Sequence, residues 1–428
     1  MNEYSAVGAS AIGGSRNRKL RVIRWAWVIL AVCFFNLFVN FSVRLGYGVL
    51  LPEMVGHLGL TRTAAGSIFN AYLFVYLAFT PLAGLMTDRL GARRVITVCM
   101  LILGVGLSLM GTASGLSSAC AFYAIAGLGA SGLWTPVITV VQRWFASTHR
   151  GRALGILSTG YGLGFAVSGL LFPWIVREYG WREVWYVLGA AAFIMAVVNG
   201  FFLKSNPESM GAFPWGSKEG ASPIAPDKSQ VCEVSFSEGV LKEQTFWLIG
   251  FSYLFISYCL YGITTFMVDY GRYEAGLSPA KAGLLATVHG VCQVAGVLTI
   301  LPLSDYLGRK KTILLSNFGV MAAIAGILSV GPGMPSAFFV CVGIMAVFYG
   351  VTFPIYGACA GDYFPAKWMG TVIGSWTPFY GLGAILAHWV GGVIRDASGS
   401  YSGAFAVNAA AAGIAFLLIV AVKRRKKI

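Results

Sequence analysis

Long apolar runs alternate with short polar breaks along nearly the whole chain. A membrane-crossing helix takes about 20 mostly apolar residues, and twelve runs qualify, at roughly 25–51, 66–87, 95–113, 119–142, 152–176, 184–203, 245–269, 281–303, 312–331, 336–358, 370–394 and 402–422. The breaks carry Gly, Pro and charge, the usual punctuation between helices. One polar stretch, 204–244, is longer than the rest and divides six spans from six. The pattern therefore predicts an N-terminal tail over 1–24, a six-helix bundle over 25–203, a central loop over 204–244, a second six-helix bundle over 245–422 and a basic tail over 423–428. The first run, Trp25 to Leu51, is longer than the apolar part of a cleavable leader, about 7–15 residues. It is expected to stay as the first membrane helix. The fold class is an all-α polytopic membrane protein.

Composition agrees. Charged residues are 11% and hydrophobic ones 57%, against about 25% charged in a soluble domain, which excludes a water-soluble fold. Aromatics at 14% exclude a disordered chain. The net charge of +15 is a matter of topology. With both termini cytoplasmic, 24 of the 31 Lys and Arg fall on the inner side, while Arg62, Arg177, Arg182, Arg272, Lys281 and Arg395 fall outside. The acids divide ten and six. Basic residues mark the cytoplasmic side, so the expected location is the inner membrane, multi-pass, with both termini cytoplasmic. A nucleic-acid binder would gather its charge on one face; no such partner is expected. The eight cysteines include no CxxC pair and, apart from Cys232, sit in apolar runs. They read as small core residues, with no metal site and no cofactor. Residues Val240 to Phe246 are expected to lie on the membrane as the amphipathic end of a flexible central loop.

The two halves repeat. Gly59-Leu60-Thr61 followed by Ala65-Gly66 matches Gly276-Leu277-Ser278 followed by Ala282-Gly283 at an offset of 217. At the same offset Asp88 meets Asp305, Gly91 meets Gly308, Arg93 meets Lys310 and Arg94 meets Lys311. A second match, at 219, brings Tyr161-Gly162-Leu163-Gly164 onto Tyr380-Gly381-Leu382-Gly383. Six spans is an even number, so both copies face the same way, related by an axis along the membrane normal. That arrangement places a site near the midplane, between the bundles.

The stretch Gly84-Leu-Met-Thr-Asp88-Arg89-Leu-Gly91-Ala-Arg93-Arg94 joins spans two and three. It and its copy, Asp305-Tyr-Leu-Gly308-Arg309-Lys310-Lys311, resemble the G-x-x-x-D-R-x-G-R-R loop of the major facilitator superfamily. The resemblance covers all twelve spans and both loop copies. It implies the major facilitator fold, alternating access, and a gating role for Gly84, Asp88, Arg89, Gly91, Arg93 and Arg94, with Asp305, Gly308 and Arg309 in the second copy. The alternative for these residues is a basic turn with a Gly bend. The second copy departs from the pattern at Leu301 and Tyr306. Pro207-Glu208-Ser209-Met210-Gly211 is similar to a P-E-x-x-G element of bacterial organic-anion members.

Every acid sorts to a loop or a helix end, and Arg44 is the one fixed charge toward mid-membrane. An Arg there costs about 2.5–3.5 kcal/mol on insertion scales. Asn36, Asn40, Arg44 and Tyr47 share one helical face, a stripe expected to line the central cavity. Two roles fit Arg44: a fork for a carboxylate or phosphate, or a side chain snorkelling to the interface. The resemblance extends to members with a basic residue in helix one: monocarboxylate transporters, organophosphate antiporters and anion–cation symporters. Departures separate the chain from each. Tyr261 stands at the repeat position of Arg44, Val43 precedes Arg44, span four has no acid, and span eight carries His289 and Gln293. The Gly-Pro signature of drug antiporters in helix five is absent.

His289, Gln293 and His388 are the candidates for proton coupling, since imidazole titrates near physiological pH; helix–helix hydrogen bonding is the alternative. Tyr161, Tyr261 and Tyr380 could hydrogen-bond a carboxylate and Trp376 could wall an apolar tail. Core packing is equally open to the aromatic residues. The resulting expectation is a secondary transporter of a small organic anion, a monocarboxylate first, driven by a proton or by exchange, and acting as a monomer in the lipid bilayer. A carrier of neutral or cationic compounds and a transporter-like sensor are the rivals. No nucleophile–base pair or phosphate-cradling loop suggests an enzyme.

Overall fold

A computed structural model describes residues 4–210, 213–217, 240–330, 334–364 and 369–423. Twelve helices in it are long and apolar enough to span a membrane. They are α1 (Tyr4–Leu58), α2 (Arg62–Leu90), α3 (Ala92–Met110), α4 (Leu116–Trp144), α5 (Ser147–Tyr179), α6 (Trp181–Phe202), α7 (Gln244–Tyr273), α8 (Pro279–Leu307), α9 (Arg309–Ser329), α10 (Pro335–Tyr363), α11 (Met369–Ser398) and α12 (Ser402–Ala421). Helix α1 starts at Tyr4, so most of the expected tail is continuous with the first span. Helix α4 is interrupted at 132–134, where Gly132 ends one half and Pro136 stands in the first turn of the next.

The repeated sequence has a local cause. Thr61 and Ser278 are N-caps, accepting from the amides of Ala64 and Lys281. The glycines two residues earlier, Gly59 and Gly276, have φ of +62° and +66°. Gly91 and Gly308, with φ of +85° and +86°, close α2 and α8 by bonding the carbonyls of Thr87 and Ser304. A side chain at those dihedrals costs about 1–2 kcal/mol. The matched glycines are thus explained by chain reversal.

Packing repeats as well. Within the first bundle α1 packs on α5 and α6, α2 on α4, and α3 on α4 and α6. Adding six to each number gives the pairs of the second bundle: α7 on α11 and α12, α8 on α10, and α9 on α10 and α12. Between bundles α2 meets α11, α5 meets α8 and α1 meets α7. Large apolar side chains such as Phe74, Leu170, Ile194, Leu298, Val340 and Leu417 are exposed. In water that surface would be costly; against lipid tails it is not.

The bundles touch along only part of their length. From mid-membrane to the face opposite the chain termini the approach is backbone to backbone: a Cβ on Gly290 would lie 2.3 Å from the Gly162 carbonyl oxygen, one on Gly169 2.5 Å from that of Gly283, and one on Gly66 2.7 Å from that of His388. Toward the terminus-bearing face, a Cβ on Gly151, Gly155 or Gly374 would meet nothing within 4 Å. The helix pairs therefore close on one face and part on the other. The central loop begins as a packed segment: the Trp144 indole donates to the Lys204 carbonyl (2.8 Å) and the Trp215 amide to the Trp144 carbonyl (2.8 Å). Residues 218–239 lie outside the described residues. Val240 and Phe246 are buried inside the protein, with Phe246 stacked on Trp376 (5.9 Å). The two ends of the expected surface-lying segment are thus packed at the entry to α7, while Leu241, Lys242 and Gln244 between them are exposed.

Candidate functional site

Arg44 lies where α1, α2 and α7 converge. It is 7% exposed. Its guanidinium carbon stands 4.9 Å from the Tyr76 ring centre and 5.4 Å from that of Tyr261. Among the described residues it makes no ion pair, and its Nε has no hydrogen-bond partner. Two aromatic faces solvate the cation partially, by about 0.5–2 kcal/mol each. They leave its in-plane donors without an acid. One turn earlier on the same face, the buried Asn40 keeps an unpartnered Oδ1.

Aromatic rings extend from this point through both bundles. Tyr72 stacks on Tyr76 (6.2 Å), and Tyr261 meets Tyr380 edge-on (5.8 Å). Tyr253 and Phe353 follow at 4.7 and 6.0 Å from Tyr380. From the other side of α1, Phe41 meets Tyr161 (4.1 Å), whose hydroxyl donates to that of Tyr349 (3.0 Å). The chamber thus offers one cation, several phenol hydroxyls and apolar ring faces. Buried in a medium of low dielectric, a single uncompensated cation attracts an anion far more strongly than it would in water.

The predicted site residues separate into three groups. Arg44, Asn40, Tyr261, Tyr380 and Tyr161 lie around this chamber. Asn36 does not share it: its amide exchanges two 2.7 Å hydrogen bonds with Asn199, clamping α1 to α6. Tyr47 donates to the Ala65 carbonyl (2.6 Å) and clusters with Phe69 and Tyr123, at 5.1 and 5.2 Å between ring centres. Trp376 donates to the Phe246 carbonyl (3.1 Å) within the α7–α11 contact. A stripe on the sequence therefore splits, because α1 is surrounded by helices and its one polar face meets different neighbours at each turn. Tyr72, Tyr76, Tyr253 and Tyr349 were not anticipated; the i, i+4 spacing of Tyr72 and Tyr76 was the available signal.

The histidines differ. His388 on α11 has both ring nitrogens engaged, Nδ1 with Asn70 Oδ1 and Nε2 with Thr265 Oγ1, each at 2.9 Å. Because the Asn70 amide donates its own N–H to the Ile385 carbonyl, its oxygen faces the ring, Nδ1 carries the proton and Nε2 accepts. The bond joins α2 to α11 across the bundle boundary. His289 and Gln293 on α8 are fully buried, and none of their side-chain nitrogens or oxygens has a partner among the described residues.

Charge seals the face opposite the termini. Arg62 at the start of α2 reaches Asp269 near the end of α7 with Nε (3.2 Å) and Nη2 (3.4 Å), and Tyr401 donates to the same carboxylate (2.7 Å). Burial and that carboxylate push the Tyr401 phenol up, so it remains a donor. Glu53 on α1 pairs with Arg272 on α7. Asp396 on α11 accepts from the Arg62 amide (2.9 Å), the Thr63 amide (2.8 Å) and the Thr63 hydroxyl (2.6 Å). A carboxylate from one bundle thus caps the N-terminus of a helix in the other. All three links cross the boundary, and none was foreseen in the sequence.

The repeated loops act within their own bundles. Arg93 reaches the Gly200 carbonyl at the end of α6, and Lys310, its repeat partner, reaches the carbonyls of Val420 (3.0 Å) and Val422 (2.6 Å) at the end of α12. Each is a cation at a helix C-terminus. Arg309 pairs with Asp305 one turn away on the exposed surface. Asp88 and Arg89 are exposed, and among the described residues Asp88 has no ion-pair partner. Gly84 has open space around it. The basic member Arg94 is also at the surface. No group of three or more His, Cys, Asp or Glu converges among the described residues.

Comparison with known proteins agrees with this architecture. A family model described as Major Facilitator Superfamily matches residues 30–278 and 250–427. A hexuronate transporter of Bacillus subtilis is 24% identical over 395 residues, covering 89% of this chain and 91% of that protein. The 4-hydroxybenzoate transporter PcaK of Acinetobacter baylyi is 24% identical over 426 residues, covering 92% and 91%. Among solved structures, the nucleoside transporter NupG superposes with a TM-score of 0.73 at 12% identity, covering 92% of this chain and 99% of that one. That last likeness concerns the fold.

Proposed function

The chain belongs to the major facilitator superfamily, and from that premise we propose that it carries a small organic anion, a monocarboxylate, across the inner membrane by alternating access, with Arg44 as the carboxylate anchor. The observation that carries this reading is a buried guanidinium with no acidic partner among the described residues and an unpaired Nε. Breaking a buried pair leaves an uncompensated charge, at about 3–5 kcal/mol; a visiting carboxylate supplies the missing half. Asn40, Tyr261, Tyr380 and Tyr161 complete the contact. Two related transporters are named for organic acids, a hexuronate and 4-hydroxybenzoate, which supports the same class. The single buried cation favours one negative charge over two.

The terminus-bearing face is cytoplasmic by the positive-inside distribution. The described state is then closed to the outside and parted toward the cytoplasm. Asp88 and its loop would engage in the opposite state. Where a proton drives the cycle, His289 suits the task better than His388, whose two nitrogens are already taken, Nδ1 by Asn70 of α2 and Nε2 by Thr265 of α7.

A second reading has its own support: Tyr76 and Tyr261 partly solvate Arg44, as a structural cation would require. Reconstitution into liposomes separates the two. Uptake of labelled monocarboxylates should be saturable, and folded Arg44→Ala should lose it. Full uptake by Arg44→Ala, or stabilisation of the wild type by neutral solutes and not by carboxylates, overturns the anchor.

A further inference from the structure

Helix α8 carries a second set of polar atoms that the fold leaves unpaired. His289 and Gln293 are one turn apart on one face and 0% exposed. Both imidazole nitrogens and both amide heteroatoms lack partners among the described residues. Buried polar groups are ordinarily paired, and this protein pairs its other deep histidine fully: His388 is held by Asn70 and Thr265. The surroundings of His289 offer no such help. Phe165 of α5 and Tyr349 of α10 present ring edges and faces at 5.2 and 5.0 Å. The backbones of Gly162 and Gly350 press against Gly290 and Gln293.

This pair communicates with the anchor chamber. Tyr349, whose ring touches His289, shares a hydroxyl contact with Tyr161 (3.0 Å). Tyr161 packs on Phe41, three residues from Arg44 on α1. A row of aromatic side chains in mutual contact therefore runs from the neighbourhood of Arg44 to this polar pair. The chemistry of that end is specific. An amide and a neutral imidazole each supply one donating and one accepting site, which matches a hydroxyl or carbonyl. Neither supplies positive charge, and Arg44 is the only buried Lys or Arg among the described residues. A second carboxylate would be stripped of water with no cation to receive it.

Resting on the anchor role of Arg44, we propose that His289 and Gln293 form a second recognition point for an uncharged hydrogen-bonding group at the end of the substrate remote from its carboxylate. The substrate is then a hydroxylated or keto monocarboxylate, in preference to a plain hydrocarbon acid or a dicarboxylate.

Matched acids test this on the purified full-length protein, by equilibrium binding and by competition of uptake. One set is benzoate, 4-hydroxybenzoate and terephthalate; a second is hexanoate, 6-hydroxyhexanoate and adipate. In at least one set the hydroxyl member should bind about tenfold or more tightly than its parent, and the dicarboxylate more weakly than the hydroxyl member. Gln293→Leu or Gln293→Met, and His289→Phe, should bring the ratio of hydroxyl acid to parent close to one. Arg44→Ala should weaken both acids alike. If the parents bind through Arg44 and the hydroxyl adds nothing in either set, the second point is refuted while the anchor stands. A wild-type ratio that both α8 substitutions leave intact also refutes it, with internal water then satisfying these atoms. If no acid binds, both assignments fall. The wild-type ratios need no variant, so a poorly folding substitution does not remove the test.

Discussion

Replacing Asp269 by Asn should loosen the closed face of the transporter. The carboxylate is fully buried and receives Arg62 through two contacts and Tyr401 through one. Arg62 belongs to the first bundle; Asp269 and Tyr401 belong to the second. The Arg62 link can exist only while the bundles meet on this face. An amide at 269 still accepts from Tyr401, so the substitution removes mainly the ionic contribution. Exposed pairs contribute about 0.2–1 kcal/mol, and breaking a buried one costs about 3–5 kcal/mol. The Arg62 side chain is 21% exposed and Asp269 is 0% exposed, which places this pair between those limits, at about 1–2 kcal/mol. That corresponds to a fall of roughly 5–30-fold in the ratio of closed to open on this face. Spin labels at the exposed positions Ser117 and Lys281, in a background with the eight native cysteines replaced, report the separation by pulsed electron resonance. Asp269→Asn should add a longer-distance population that the wild type lacks. The exchange Arg62→Asp with Asp269→Arg should reverse part of the shift. An unchanged distance distribution in Asp269→Asn would refute the reasoning, as would strict additivity of Arg62→Ala and Asp269→Asn.

Three further outcomes are expected. Arg44→Ala should weaken carboxylate binding about 10–150-fold, the equivalent of a charged hydrogen bond of about 1.5–3 kcal/mol; Arg44→Lys should fall in between, because a point charge replaces a fork, and equilibrium binding measures both. Gly290→Val should force α5 from α8, since even a Cβ would lie 2.3 Å from the Gly162 carbonyl oxygen; a lower melting temperature and the same longer-distance population by spin labels are the readouts. Asn36→Leu should destabilise by about 1–3 kcal/mol through the orphaned Asn199, while Asn36→Leu with Asn199→Leu should recover most of the loss in thermal unfolding, a positive coupling that separate cavity-lining roles would not give.

The fold was legible because the bilayer imposes it. Without water to bond the backbone, each apolar run must be a helix, and even-numbered internal repeats fix the relation of the halves. The matched glycines and caps, Gly59 with Gly276 and Gly91 with Gly308, were visible as letters and are now explained as left-handed turns. Arg44 was legible for a related reason: a charge in an apolar span stands out in one dimension. Its neighbours did not. Asn36 shares a helical face with Arg44, yet Asn199 claims it from α6. Tyr47 shares that face and is absorbed by Phe69 and Tyr123. Periodicity names a face, but on a helix enclosed by others that face meets several different partners along its length.

The closing charges were the least legible of all. Arg62, Asp269, Glu53, Arg272 and Asp396 read as ordinary loop-end residues, because nothing in the order of the chain says that the end of α7 lies against the start of α2. What the amino-acid order determined by itself is local or bilayer-driven: spans, turns, repeat and the isolated cation. What only tertiary structure decided is pairing across more than 100 residues of chain: which polar groups are taken, which are left open at Arg44, Asn40, His289 and Gln293, and which face is sealed. Hydrogen bonds and ion pairs act over a few ångströms in space, whatever the distance along the chain.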